Sequence, residues 1–235
     1  MSEAKPVAVV TGGSRGIGRA IVESLASREH RVVFCGRSEE SVGEAERELR
    51  RAWGDRVRGE TVDVRDRRQV ERFVQGVVGE GEGLDVLVNN AGIGRFAPID
   101  ELSPEAWDET MATNLSGVFY CMRAVVPAMK EGGGGWIINI ASLASRNPFA
   151  GGAAYNASKY GLLGLSEAAM LDLRGDGIRV TAVLPGSVDT GFRSGSGGDW
   201  KLQPEDVARA VTDLLAYPAH ALPSRIELRP TRTGS

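Results

Sequence analysis

Histidine and cysteine are nearly missing from this chain, with two of each in 235 residues. His30 and His220 have no cysteine, aspartate or glutamate at ligand spacing, so no metal site is expected. Cys35 and Cys121 lie far apart, in an expected strand and an expected helix. They read as small buried hydrophobes in a reducing compartment rather than as a disulfide. Lysine is scarce too, confined to Lys5, Lys130, Lys159 and Lys201. With no basic block and a net charge of −3, the composition argues against a nucleic-acid partner. Long apolar runs are absent. The longest are strand-sized, so no membrane partner or span is expected, and "MSEAKPVAVV" lacks the basic-then-apolar build of a secretory leader. The expected location is the cytoplasm.

What is present is alternation. Short apolar runs at 6–10, 31–35, 56–64, 84–89, 135–141, 178–184 and 225–229 read as strands. Between them, amphipathic patterns run from the first turn to about Arg28, then over 38–52, 66–79, 104–130, 153–174 and 204–216. Continuous apolar runs indicate strands covered on both faces, as in a parallel sheet. Pro204 suits the first turn of the last helix, while Pro127 is expected to kink or end the long one. Seven strands alternating with six helices give a doubly wound, Rossmann-type α/β fold. No repeat or linker divides residues 1–235, so one domain is expected.

"TGGSRGIG" follows the first strand and opens the first helix. A doubly wound fold binds a dinucleotide at that point, its pyrophosphate at the helix N-terminus. Gly12, Gly16 and Gly18 permit the tight turn and the close approach. A glycine-rich turn with no ligand is the alternative, and the strand–turn–helix context disfavours it. At the end of the second strand an acidic residue would hold the ribose of NAD, but "CGRS" presents Gly36, Arg37 and Ser38. A guanidinium there suits the 2′-phosphate of NADP, and Arg15 is a second cation for the same group.

"YNASK" (155–159) sets a tyrosine and a lysine at i and i+4, on one helix face. By spacing alone this is an unremarkable helix turn. Taken with "TGGSRGIG", "NNAG" (89–92), "NLSG" (114–117), "INIAS" (138–142) and "PGSVDT" (185–190), in that order, it resembles the short-chain dehydrogenase/reductase family in its compact one-domain form. The resemblance covers about 1–215. It implies a seven-stranded parallel sheet with helices on both faces, NADP(H) as hydride carrier, and interconversion of a carbonyl with a secondary alcohol. Carried over, Tyr155 is the general acid/base and Lys159 its electrostatic partner and a ligand of the nicotinamide ribose. Ser142 hydrogen-bonds the substrate oxygen. Asn114 holds a water for proton relay; the alternative is an asparagine that caps or kinks its helix. Gly12, Ser14, Arg15, Gly16, Ile17 and Gly18 cradle the pyrophosphate, and Arg37 and Ser38 meet the adenosine ribose. Asp63 and Val64 border the adenine, Asn90, Ala91 and Gly92 the ribose side, and Pro185, Gly186, Val188 and Thr190 the carboxamide. Asn89 is expected to brace the sheet.

The chemistry fits those types. A ketone that accepts hydride needs a proton donor in place. At roughly 5 Å and an effective dielectric of about 20, the Lys159 charge would favour phenolate by about 3 kcal/mol. Phe96, Leu143, Phe149, Phe192 and Trp200 are candidates for an apolar pocket, and 191–203 for a short lid. An acyl-carrier partner would need a basic mouth, for which only Arg146 and Arg193 are candidates. The long helices 104–130 and 153–174 are expected to pair subunits into a homodimer or homotetramer. Rival readings are a catalytically silent relative that binds NADP(H), a nucleotide-sugar epimerase, and a methyltransferase. Too little chain follows Pro185 for the second, and Arg37 opposes the third.

Overall fold

The structure is a computed structural model and describes residues 5–81, 83–192 and 198–232. Its strands are β1 (Val7–Thr11), β2 (Arg31–Gly36), β3 (Val57–Thr61), β4 (Val86–Asn89), β5 (Gly135–Ile140), β6 (Ile178–Pro185) and β7 (Arg225–Leu228). They form one parallel sheet in the order β3-β2-β1-β4-β5-β6-β7. The order reverses between β1 and β4, and that reversal opens a crevice at their C-terminal ends.

Alternate residues of each strand feed two apolar layers. Val7 and Val9 join Val33, Cys35, Leu87 and Ile137 on one face, with α3 (Arg67–Val78), α5 (Gly117–Glu131) and α6 (Ala153–Leu173) packed over them. Ala8 and Val10 join Val32, Phe34, Val88 and Ile138 on the other, under α1 (Gly16–Ser27), α2 (Glu39–Trp53) and α7 (Pro204–Leu214). Both faces are dry, which is why these strands lack a polar alternation. Cys35 and Cys121 are free and buried in the first layer. Among the described residues no helix is long and apolar enough to cross a membrane.

Two expectations need correction. The third strand does not reach residue 64. β3 is an edge strand, and beyond Thr61 the Asp63 carboxylate caps a turn, accepting from Arg65 N at 3.0 Å. Nor does Pro127 end its helix, since α5 continues to Glu131. Pro127 and Arg123 are both exposed, so the carbonyl left without its N–H partner faces water, while Val125 and Met129 stay buried against the sheet. The irregularity lies earlier, at Ala112–Ser116, a π-helical turn joining α4 (Pro104–Met111) to α5.

Candidate active site

At the crevice, Thr11 ties β1 to the chain beyond β4. Its hydroxyl accepts from Asn90 N and Ala91 N, both at 3.0 Å. Asn90 Nδ2 donates to the carbonyls of Thr11 and Gly12, again at 3.0 Å. The Asn90 side chain therefore braces the glycine loop from below. Gly12 takes φ +66°, and a Cβ on Gly18 would lie 2.1 Å from the Gly12 carbonyl oxygen. No side chain fits at either place. The loop delivers the chain to α1, where Arg15 makes no side-chain cap and the first turn holds no acidic residue. Ile17 packs on the α1-side core. A bare helix N-terminus beside a cradle that any Cβ would fill matches a pyrophosphate. Ser14 Oγ accepts from Ser41 Oγ at 2.9 Å, while Ser38 caps α2, accepting from Ser41 N at 3.3 Å.

The opposite wall follows β6. Gly186 N donates to Leu228 O at 2.8 Å, and Val188 bridges to Leu202 through Asp189 N→Leu202 O at 2.8 Å. A Cβ on Gly16 would meet Thr190 Cβ at 3.4 Å, so Thr190 borders the phosphate loop. Pro185 closes β6, buried. Of the expected lid, residues 193–197 lie outside the described residues, Arg193 among them.

Beyond the C-terminal ends of β2, β3 and β4, three arginines converge on one carboxylate. Arg37 Nη1 donates to Glu109 Oε1 at 3.1 Å, and Arg65 Nη1 to the same oxygen at 3.3 Å. Arg95 donates to Oε2 through Nη2 at 2.8 Å and Nε at 3.1 Å. With Arg95 and then Arg37 as the leading causes, the Glu109 carboxyl is held below its usual range. Asp63 forks onto Arg65, Oδ2 to Nη2 at 2.6 Å, and is likewise held low. Val64 packs under Gly117, and Gly92 rests on the Asn114 amide. The sequence reading missed Glu109, for good reason: 72 positions separate it from Arg37, and one glutamate on a polar helix face carries no mark. Thr11 was missed as well, although a lone polar residue closing an apolar strand is a usable signal.

Tyr155 and Lys159 lie in the first two turns of α6. Burial pushes the Tyr155 phenol above its usual range, partly offset by a hydrogen bond with Ser142. Ser142 Oγ also accepts from Ala144 N at 3.1 Å, which fixes its rotamer. Lys159 is buried and donates from Nζ to Ile140 O at 2.8 Å, with Nζ 5.8 Å from the Tyr155 ring centre. Burial lowers its ammonium to about 8. The lysine was expected to draw the phenol down. Loss of solvation is instead the leading cause of the phenol's shift, and it runs upward. Asn114 is fully buried in the π turn; Oδ1 accepts from Ile93 N at 2.8 Å, and Nδ2 donates to Ile93 O at 2.9 Å and Ser158 Oγ at 3.0 Å. Ser158 in turn donates to Tyr155 O at 2.8 Å. Asn89 Nδ2 donates to Asn139 Oδ1 at 2.8 Å, inside the sheet.

Around the phenol stand three phenylalanines. Phe96, Phe192 and Phe149 have ring centres 5.6, 5.9 and 6.3 Å from that of Tyr155. Leu143 instead packs at Gly186, and Trp200 over Gly198. Among the described residues no group of three His, Cys, Asp or Glu side chains is placed to hold a metal ion.

The family model for short chain dehydrogenases matches residues 6–199. The chain belongs to the short-chain dehydrogenase family. A relative from Escherichia coli K12, the NADP-dependent 3-hydroxy acid dehydrogenase YdfG, is 34% identical over 95% of this short-chain dehydrogenase and 94% of its own length. Two solved structures match nearly throughout. An alcohol dehydrogenase from Thermococcus sibiricus, complexed with 5-hydroxy-NADP, has a TM-score of 0.90 at 31% identity, covering 98% of this chain and 99% of its own. A metagenomic short-chain oxidoreductase in complex with NADP has a TM-score of 0.86 at 39% identity, covering 99% and 100%. This short-chain dehydrogenase is an oxidoreductase by family.

Proposed function

We propose that this enzyme uses NADP(H) and interconverts a carbonyl and a secondary alcohol, with Tyr155, Lys159, Ser142 and Asn114 as the working set. The observation that carries the reading is one constellation. The half-buried Tyr155 phenol, held beside Ser142, has the buried Lys159 ammonium 5.8 Å from its ring centre. The coenzyme, when bound, supplies or accepts hydride. Gly12, Ser14, Gly16, Ile17 and Gly18 would hold its pyrophosphate, Arg15 and Arg37 its 2′-phosphate, and Lys159 its nicotinamide ribose. Relatives named as NADP-dependent or solved with NADP support that assignment.

The chain's own residues handle the proton. A phenol held above its ordinary pKa stays protonated at neutral pH, the form that gives a proton to an oxygen taking on charge. Ser142 stabilises the same oxygen with a pre-placed hydrogen bond. Lys159, fixed by Ile140, offsets the phenolate left behind. The side chain of Asn114 is engaged by Ile93 and Ser158. A relay water would therefore rest on main-chain carbonyls that the π turn leaves without their usual i+4 partner.

The reading takes residues 1–235 as one working domain with 191–203 as its lid, acting in the cytoplasm on a small molecule. It also takes the enzyme as a homodimer or homotetramer, because α5 and α6 expose Phe119, Tyr160 and Leu171. NADPH oxidation across ketones, aldehydes, quinones and acyl thioesters tests the function. Tight NADP(H) binding without turnover on any of them would leave a binding module instead.

A further inference from the structure

We propose that the substrate is a neutral aromatic carbonyl compound, neither a carboxylate nor a carrier-bound acyl thioester; this rests on the carbonyl–alcohol reading above. The first observation is the ring cluster at the proton donor. Phe96, Phe149 and Phe192 come from three separate loops, after β4, before α6 and after β6, yet all three meet the Tyr155 ring. They meet one another too, Phe96 lying 5.8 Å from Phe149 and 6.5 Å from Phe192, centre to centre. A Cβ on Gly94 would lie 2.4 Å from Phe96 and 2.9 Å from Phe192, so the glycine lets both rings close over that loop. Phe192 is still 47% exposed. Its uncovered surface at the mouth suits a further planar ring in an offset or edge-on contact.

The second observation is independent and concerns charge. Recognition of a carboxylate or of an acidic carrier requires an available cation at this mouth. Arg95, beside Phe96, is gripped by Glu109 at 2.8 and 3.1 Å. Arg146, which ends the turn begun by Ser142, donates to Glu227 Oε1 at 3.0 Å, and Arg229 holds the other oxygen at 2.9 Å. Both glutamates are held below their ordinary range, chiefly by these arginines. Among the described residues, the mouth thus offers aromatic surface, and its Arg95 and Arg146 are each already held by a carboxylate. An anion seeking Arg95 or Arg146 would have to compete with the carboxylate that holds it.

The test uses the full chain with NADPH and three substrates: an aryl alkyl ketone, a dialkyl ketone of equal octanol–water partition, and a 3-oxo carboxylate. Each aromatic ring contact is worth roughly twofold to tenfold. The aryl ketone should therefore exceed the dialkyl ketone in kcat/KM at least tenfold, and the carboxylate by more. Phe96→Leu and Phe149→Leu should each cut the aryl-to-alkyl ratio severalfold. That ratio is read within one variant, so a loss of folded protein cancels. Calorimetric titration of Tyr155→Phe in complex with NADP⁺ reads binding of the same three compounds without turnover. Equal or better handling of the dialkyl ketone or the carboxylate, by rate or by heat, overturns this proposal and leaves the reductase reading intact. Selective binding of the aryl ketone with no turnover by the wild type supports it and overturns the reductase reading.

Discussion

Arg37 Nη1 lies 3.1 Å from Glu109 Oε1, so the cation proposed to meet the coenzyme's 2′-phosphate is already paired to a carboxylate on α4. Arg65 and Arg95 hold the same carboxylate. One glutamate thereby joins the loops after β2, β3 and β4. A 2′-phosphate entering there meets a guanidinium that must be shared, so coenzyme choice depends on both members of the pair.

Replacing Arg37 with Ser should cut the preference for NADPH over NADH about tenfold. A charged hydrogen bond contributes about 1.5–3 kcal/mol, and exposure of Arg37, 57% of whose side-chain surface is accessible, discounts that through screening. Adding Gly36→Asp should reverse the preference. A Cβ at 36 would sit 3.0 Å from Val42 Cγ2, so Val42 must shift slightly to admit it. The measurement is kcat/KM for both coenzymes at low and moderate salt. Equal use of both by the wild type at low salt would make Arg37 a bystander.

Glu109→Gln should act in the opposite sense. Removing the carboxylate releases Arg37 and raises the local charge by one, so the Kd of NADP⁺ should fall about threefold to tenfold at low salt, converging on the wild type as salt rises. NAD⁺, lacking the 2′-phosphate, should change less than twofold. Calorimetric titration reads both. A weaker NADP⁺ complex would mean instead that Glu109 orients Arg37 and that competition is minor.

The fold was legible because β1, β2, β4, β5 and β6 are buried on both faces, and their continuous apolar runs record that directly. The edges were less clear. β3, with one strand neighbour, owes its end to a turn at Asp63, not to its own β propensity. The four residues proposed as catalytic were readable as types in order, since helix periodicity alone puts Tyr155 and Lys159 on one side of α6. Tertiary packing decided the rest. Asn90 looks like a ribose contact in a linear motif, yet its amide bonds to Thr11 and Gly12. Lys159 looks like a simple electrostatic lever on Tyr155, yet burial governs both groups.

Tyr155→Phe removes the phenol oxygen and keeps the ring among Phe96, Phe149 and Phe192. Turnover should fall by at least about a hundredfold, the lower range for general acid–base catalysis, while the Kd of NADP⁺ stays within twofold. Steady-state rates with calorimetry on the same preparation separate the two effects. Retention of more than about a tenth of the wild-type rate would assign the proton to another group.

Phe119→Arg combined with Leu171→Arg should yield monomers. Phe119 on α5 is 45% exposed and Leu171 on α6 57%, and these apolar side chains are the proposed seat of a second chain. Sedimentation at micromolar concentration should show the wild type as a dimer or larger. A monomeric wild type would remove the oligomer from the proposal without touching the chemistry.

The last expectation concerns Lys159 and pH. Burial sets its folded-state pKa at about 8, against about 10.4 in an unfolded chain. Between those values the unfolded state binds the additional proton, so this lysine's contribution to stability rises with pH and lies mostly above 8. Two buried thiols pull the other way. Burial raises Cys35 to about 12 and Cys121 further, while unfolded thiols ionise near 8.5. Each therefore removes stability as pH climbs past that point. Wild type alone would show a muted profile. Lys159→Met carries the same thiols, and so the difference between the two proteins isolates the ammonium. From pH 7 to pH 9 that difference should move by about 1 kcal/mol in favour of the wild type. Urea midpoints at fixed protein concentration, without coenzyme, provide the measurement. A difference independent of pH would place the Lys159 pKa outside this window and its ammonium in contact with water.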